Sequence, residues 1–269
     1  MINHTHDLFN VIPTTYKEAL SSNEKKRCQE AITEELSSMT QEEVFENVSI
    51  KDALNEVPHN SILSTKWVCV KKCKPERYKA QLVAQGFKQI HGINFDETFA
   101  PTATFRVLHL LFSIACTNNW PIWTFDVKVA FLHSLIDKPV YVWPPKGIVV
   151  PKNTILKLQK ALYGTKQAAR CWWLHLKEIL GQIGFQPNNE DQSTYCYETD
   201  QGKAILWIHV DDGVLTASTK KILNEISDEL DKALKVKWDT SISGLVGISI
   251  TQTTNGVMHL VRKILYLNY

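Results

Sequence analysis

The apolar positions of this chain change period along its length, and those changes predict its elements before any chemistry is considered. Residues 1–25 are polar and aperiodic, and residues 26–60 mix acidic and apolar positions around one helix-like run, Cys28 to Leu36. From Ser64 the pattern turns strand-like. Thr65 to Val70 and Tyr78 to Ala84 are rich in Val, Leu and aromatic residues and flank the basic Lys71 to Arg77 segment with its Pro75, which predicts a hairpin with a positively charged connection. Phe105 to Cys116 is apolar on nearly every side and predicts a buried helix, ended by Asn118 and Asn119. Ile122 to Val127 is a short apolar strand carrying Asp126 at its C-terminal end, and Pro139 to Ile148 reads as a proline-bearing strand and turn.

Helical spacing returns from Lys166 to Ile183, closed by Gly184, with Trp172, Leu176 and Leu180 on the repeat. Ile205 to Val210 and Val214 to Ala217 are strands separated only by Asp211-Asp212-Gly213, a tight hairpin because Asp and Gly tolerate the positive φ such turns require. Ile222, Ile226, Leu230 and Leu234 recur every four residues along an amphipathic helix, and Leu245 to Ile250 and Val257 to Val261 read as two further strands. The second half therefore runs strand, helix, hairpin, helix, strand. That is the split βαβ, ferredoxin-like order of an α+β fold, a sheet with helices on one face. In it the first strand neighbours the third, so Asp126 and the Asp211-Asp212 pair converge on one edge of the sheet.

Composition bounds the function classes. The chain has 269 residues, 44% hydrophobic and 22% charged, enough for one large or two small domains, and a formal charge of +2 rules out a uniformly basic, histone-like role. The distribution is uneven. Residues 61–90 carry seven basic and one acidic residue and residues 151–180 six and one, whereas residues 1–60 carry five and eleven. A polyanion could engage the two basic blocks, although either also reads as a solvated face. The six cysteines show no framework spacing, and the N-terminus has no basic, apolar leader, which points to a reducing, intracellular setting. Cys69 and Cys73 lack the second pair that a zinc finger needs. No run approaches the roughly 18 to 20 apolar residues of a membrane span, so no membrane partner is expected.

Three carboxylates gathered at strand ends repel one another by roughly 4 kcal/mol per pair at about 4 Å and an effective dielectric of 20. Hard divalent cations with oxygen ligands remove that cost, and two of them can activate an attacking oxygen and stabilise the leaving oxygen of an in-line phosphoryl displacement. Metal-assisted phosphoryl or nucleotidyl transfer is the chemistry this pattern points to. An ordinary exposed turn at Asp211-Asp212-Gly213 and a helix-capping Asp126 are the plainer alternatives.

Six segments, in order, carry a resemblance: Lys66-Trp67-Val68, Tyr78 to Phe87, Phe95 to Pro101, Asp126 to Leu132, Ala161 to Arg170, and His209-Val210-Asp211-Asp212. Together they make the chain resemble the reverse transcriptase domain of copia-type long-terminal-repeat retrotransposons. The resemblance implies a right-handed polymerase: residues 1–47 a polar, partly ordered lead-in and 48–269 the reverse transcriptase domain, with about 60–120 mainly fingers, 121–250 mainly palm and 251–269 the start of a following segment. It implies primer extension on an RNA or DNA template-primer with dNTP substrates. Asp126, Asp211 and Asp212 would be catalytic, holding Mg2+, or Mn2+ in its place, with the Val127 carbonyl. Phe131 would lie under the incoming sugar, Gln167 beside the nucleotide, and Lys79 near the triphosphate or template. Lys66, Lys71, Lys72, Lys74 and Arg77 would form a nucleic-acid-binding patch.

Four positions depart from the family pattern. Gln81 stands for Arg, His209 for Tyr, Thr165 for Leu and Ala169 for Pro, so a weakened copy or an inactive relic that only binds nucleic acid is the alternative function. No protease or integrase segment precedes residue 60 and no ribonuclease H cluster precedes Tyr269, so the chain reads as a polyprotein fragment or truncated insertion. Integrase and ribonuclease H would be separate partners, and the cellular setting a cytoplasmic virus-like particle.

Overall fold

A computed structural model describes residues 24–73, 76–242, 244–246, 248–252 and 258–262. In chain order the elements are α1 (Lys25–Gln41), β1 (Phe45–Ser49), α2 (Ile50–Glu56), β2 (Thr65–Cys73), β3 (Glu76–Ala84), α3 (Phe105–Thr117), β4 (Ile122–Val127), β5 (Tyr141–Val142), β6 (Thr154–Leu158) and α4 (Ala168–Ile183). Then follow β7 (Gln186–Pro187), β8 (Thr194–Thr199), β9 (Gly202–His209), β10 (Asp212–Ala217), α5 (Lys220–Ala233), β11 (Val236–Asp239), β12 (Gly244–Leu245), β13 (Ile248–Gln252) and β14 (Met258–Arg262). The fold is α+β and divides into two units that interleave in sequence. Residues up to Phe99 join Phe131–Cys171, and Ala100–Ala130 join those from Trp172 onward. α3 falls in the second unit, and its apolar side packs on Ile122, Trp207 and Val214. Residues after Phe131 return to the first, where Tyr141 and Ile155 pack with Ala53, Val57 and Ile62.

In the first unit, the helix-like run Cys28 to Leu36 lies within a 17-residue helix, α1. Its buried positions, Cys28, Ala31, Ile32, Glu35 and Met39, fall three or four apart on a single face, which the surrounding charges hide from a simple count of apolar residues. That face packs against β3. Among the described residues β3 pairs only with β2. On its other edge the N–H of Leu82 donates to Glu35 Oε1 at 3.4 Å, so the buried carboxylate covers a ladder position that has no strand partner. Period-two alternation separates the faces of the hairpin: Trp67, Tyr78, Ala80 and Leu82 are buried, whereas Lys66 and Lys79 on the opposite face are exposed and Gln81 is half-buried. A second sheet, ordered β1-β6-β5, lies beside α2, which Ser49 caps by accepting from the N–H of Asp52.

β3 ends on a backbone clamp. The N–H of Ala84 donates to the Tyr163 carbonyl at 2.7 Å, and a Cβ on Gly164 would lie 2.1 Å from the Ala84 oxygen. A Cβ on Gly86 would in turn lie 2.1 Å from the Gly164 oxygen. Gly164 also has φ +85, so two independent constraints demand glycine there.

In the second unit the six-stranded sheet is ordered β11-β4-β10-β9-β8-β7 and is antiparallel at every pairing. With β4 as first strand, β9-β10 as the hairpin and β11 as fourth, its first four positions have the ferredoxin-like order that the sequence predicts, and β4 does neighbour β10. The fourth strand is β11, directly after α5, while residues near Leu245 to Ile250 form a separate sheet, β12-β13-β14. β11 escapes the sequence pattern because Lys237 is exposed and Val236 and Trp238 are only half-buried, leaving no apolar run to read. α3 buries Leu108, Leu111, Phe112 and Ala115 but leaves Leu110 58% exposed, so it is buried on one side and not all round. α5 packs on β9 and β10 from the face opposite α3: a Cβ on Gly202 would meet Ile222, and Trp238 donates to Asp231 at 3.0 Å.

Two consequences are measurable. Gly164→Ala combines a left-handed backbone with overlap on a carbonyl, and its unfolding midpoint in urea should drop by the equivalent of about 2–4 kcal/mol; a drop no larger than that of an exposed Gly181→Ala control would contradict the clamp. Burial raises the Glu35 carboxyl above its ordinary 4.5, against the opposing hydrogen bond from Leu82 and the nearby Lys79 charge. A raised folded-state value means stability that is complete below about 4.5 and is lost as pH climbs through the raised value. Glu35→Gln should therefore gain on the wild type as pH rises from 4 to 7, by paired denaturation curves; equal pH slopes in the two proteins would show that Glu35 titrates normally.

Candidate active site

The antiparallel registers of the second unit place one row of polar residues across the sheet. Asp212 on β10 is directly opposite Asp126 on β4 and, on its other side, opposite His209 on β9. Lys237 on β11 is directly opposite Asp126. Directly opposed residues project to the same face with Cβ atoms about 4.5–5.5 Å apart, so Lys237, Asp126, Asp212 and His209 form a continuous transverse row. It lies on the face that α3 covers: Val214 and Trp207, two residues along from Asp212 and His209, belong to the α3 core. His209 stacks on Trp207 with 6.1 Å between ring centroids and 13° between planes. Asp126 and Lys237 are exposed, and Asp211, Asp212 and His209 are half-buried.

The next row faces the other way. Trp238, Phe125, Gly213 and Ile208 are mutually in register, and Phe125 lies 5.0 Å from Trp238 by ring centroid. A Cβ on Gly213 would sit 2.2 Å from the Phe125 ring. Gly213 is thus a strand residue that admits an aromatic ring, not the turn residue that the Asp-Asp-Gly spacing predicts. The turn itself is Val210-Asp211, between His209 and Asp212. Its positive φ, +61, falls on Val210. The N–H of Val127 donates to the Asp211 carbonyl at 2.7 Å, and the Trp172 indole N–H donates to the Val210 carbonyl at 2.6 Å.

The structure brings Asp126 and Asp212 side by side and ties Asp211 to β4 through its backbone. Among the described residues no group of three His, Cys, Asp or Glu side chains is assembled as a ready-made metal cage. The donor set fits Mg2+ nonetheless. This cation keeps several waters and is bound through one or two carboxylates plus substrate phosphates instead of an all-protein cage. Two adjacent carboxylates on a solvent-facing edge are that arrangement. Burial, reinforced by Cys28, pushes the Cys69 thiol up to about 11.

The residues expected near the nucleotide lie in the first unit. Phe131 is half-buried in the 3-10 turn Ala130–His133, its ring edge-on to Tyr163 at 4.8 Å and packed against Ala161, Ala168 and Cys171. Lys79 and Lys66 are exposed on one face of the β2-β3 hairpin, with Gln81 half-buried on it. Lys71, Lys72 and Arg77 lie on its paired backbone, but their side chains, and Lys74 altogether, fall outside the described residues.

Gln167, expected beside the nucleotide, lies inside the first unit. It is fully buried, its amide donating to the Asn94 carbonyl at 2.7 Å and accepting from Gln89 at 2.8 Å. Gln89 also accepts from the Lys166 N–H at 2.7 Å, and Asn94 from the Ile90 N–H at 3.1 Å. With Asn94 and Gln89 as its partners, the Gln167 amide ties down the 89–94 loop. Asp96 and Glu97 in the adjoining segment pair with Lys138 at 2.8 Å and Arg170 at 3.0 Å. Sequence reasoning missed Gln89, Asn94, Lys237 and Trp172; the first two stand beside matched motif segments, and Lys237 becomes visible only once β11 is placed.

Comparison with known proteins bears on the whole of this region. Residues 51–268 match the family described as reverse transcriptase (RNA-dependent DNA polymerase). The chain is 31% identical over 211 residues, 76% of its length, to the retrovirus-related Pol polyprotein from transposon RE1 of Arabidopsis thaliana, and spans 14% of that protein. It is 30% identical over 247 residues, 89% of its length, to the Pol polyprotein from transposon TNT 1-94 of Nicotiana tabacum, spanning 18% of it. A putative transposon Ty5-1 protein of Saccharomyces cerevisiae is 33% identical over 133 residues, 49% of this chain and 43% of that protein. With four-fifths of its residues inside the family match, the chain belongs to the reverse transcriptase (RNA-dependent DNA polymerase) family.

Proposed function

We propose that this chain is the polymerase segment of a copia-type retrotransposon and extends a primer 3′-hydroxyl on an RNA or DNA template with dNTPs. The observation that carries the proposal is the register that sets Asp126 beside Asp212 across β4 and β10, with Asp211 tethered to Val127. On this reading the second unit supplies the palm, and the β2-β3 hairpin belongs to the fingers. Asp126, Asp211 and Asp212, with the Val127 carbonyl, would hold Mg2+, for which Mn2+ can substitute. When bound, such ions lower the barrier to in-line displacement at the α-phosphate by stabilising the attacking and leaving oxygens.

The chain's own groups do the rest. The paired strands fix the spacing of the carboxylates before any ligand arrives, so no side-chain search is needed at the moment of reaction. Lys79 and Lys66 present cationic heads to solvent and neutralise phosphate charge, a contribution that falls with salt and carries no sequence preference. Phe131, braced by Tyr163, is a rigid wall that excludes a ribose 2′-hydroxyl by size. Integrase and ribonuclease H would act from other segments of the polyprotein, in an intracellular virus-like particle; among the described residues no helix is long and apolar enough to cross a membrane.

A second reading, an inactive relic that still binds nucleic acid, is favoured by Gln81. It stands between Lys66 and Lys79 on the exposed hairpin face, where the family pattern has an arginine, and an amide cannot replace a bidentate guanidinium contact to phosphate. Primer extension on poly-rA/oligo-dT separates the two. The polymerase reading predicts incorporation with Mg2+ or Mn2+ that Asp211→Asn abolishes while template-primer binding persists; binding without incorporation under either metal leaves the relic. Phe131→Ala should raise ribonucleotide use relative to dNTP by about tenfold or more, since one pocket-sized group is worth about 1–3 kcal/mol of discrimination. Unchanged discrimination in competition assays would remove Phe131 from the sugar-selecting role.

A further inference from the structure

The turn that carries Asp211 is held in a conformation its sequence does not favour. In a two-residue hairpin turn whose first central residue has positive φ, that residue is usually Gly. Here it is Val210, at φ +61. A β-branched side chain in the left-handed region is a true outlier, and such a conformation persists only where the surroundings over-determine it. Burial does not supply the compensation, because Val210 is 43% exposed.

Two hydrogen bonds to successive carbonyls do. The Asp211 carbonyl accepts from the N–H of Val127 on β4, a backbone bond that any sequence could make. The Val210 carbonyl accepts at 2.6 Å from the indole of Trp172, and this bond depends on one side chain. Trp172 sits in the first turns of α4, 2% exposed, with its ring fixed by packing, so its N–H is a rigid donor aimed at the turn. The Val210 carbonyl belongs to the peptide that leads into Asp211. Fixing the plane of that peptide fixes where the Cα–Cβ bond of Asp211 points.

We propose that Trp172 is a positioning residue: its indole N–H holds the peptide between Val210 and Asp211 in the strained turn and so aims the Asp211 carboxylate at the metal. This rests on the reading of Asp211 as a metal-holding carboxylate, and it predicts coupling between a helix side chain and a turn residue. Removing the donor lets the turn relax and misaims the carboxylate. Removing the side-chain strain makes the donor dispensable.

The test uses the full chain and five variants, with free Mn2+ followed by electron paramagnetic resonance beside steady-state primer extension. Trp172→Phe keeps an aromatic ring and removes the N–H. It should weaken Mn2+ binding and lower kcat by about 10–100-fold, the usual effect of losing a group that orients a metal ligand, with KM for template-primer little changed. Trp173→Phe removes an indole N–H from the next position of the same helix and should do neither. Adding Val210→Gly to Trp172→Phe should restore most of both losses, because glycine adopts positive φ without strain. Val210→Gly alone should raise the unfolding midpoint, which keeps the proposal testable if Trp172→Phe does not fold. Trp172→Phe behaving like Trp173→Phe, failure of Val210→Gly to rescue a folded Trp172→Phe, or a lowered midpoint for Val210→Gly alone would each overturn the clamp. If instead Asp211→Asn binds Mn2+ as the wild type does, the metal-site reading fails, independently of the clamp.

Discussion

The pairing of β4 with β10 is the constraint on which the second unit depends. Because side chains alternate faces with a period of two, sliding β10 by one residue along β4 would put Asp212 on the face opposite to Asp126 and take Gly213 away from Phe125. Nothing in the carboxylates themselves resists that slip; their mutual repulsion would even assist it. Resistance comes from the row beneath. Phe125 lies over Gly213 and against Trp238, a fit that exists only in the observed register, since any other residue opposite Phe125 would bring a Cβ into its ring. The chemistry of one face is thus specified by the packing of the other.

This explains which features were legible in the sequence. The order strand, helix, hairpin, helix, strand was readable because long apolar runs and a single tight turn carry it, and from it followed the convergence of Asp126 with Asp211-Asp212. The turn begins one residue and ends two residues earlier than the spacing predicts, since Gly213 is the residue whose usual role is a turn and Val210 the one whose usual role is a strand. Both assignments fail for the same reason: a tertiary contact, Phe125 on one and Trp172 on the other, overrides local preference. α1 was readable only in part, as the run Cys28 to Leu36, because charged positions surround its one buried face. β11 was hidden: an exposed Lys237 between the half-buried Val236 and Trp238 leaves no apolar run to mark an element.

In the first unit the motif residues have turned inward. Gln167, Gln89 and Asn94 form a buried amide network that satisfies its own donors and acceptors, and Gly164 with Gly86 lets two backbones meet where side chains would keep them apart. A motif read from sequence says that a residue type is required at a position but not whether ligand or backbone requires it. Burial decides. Phe131 and Lys79 keep exposed surface, whereas Gln167 has none, and its amide shapes the loop on which Asp96 and Glu97 pair with Lys138 and Arg170.

The same criterion sorts the four departures from the family pattern. Thr165 is buried and its hydroxyl donates to the Leu162 carbonyl at 2.8 Å, so the polar atom it introduces is satisfied within its own turn. Ala169 is exposed in the first turn of α4, where alanine is the strongest helix former and a proline would contribute only a preset φ. Neither change disturbs the fold. Gln81 and His209 are of another kind, because each is half-buried at an edge that faces solvent. His209 stands in the carboxylate row itself, stacked on Trp207, and Gln81 between two exposed lysines. An imidazole in that row keeps a planar ring on Trp207 and exchanges a phenol for a group able to carry positive charge beside Asp212, which alters the electrostatics of the edge while leaving its packing intact. The departures that reach the carboxylate row and the basic hairpin face are therefore the two that the core does not absorb.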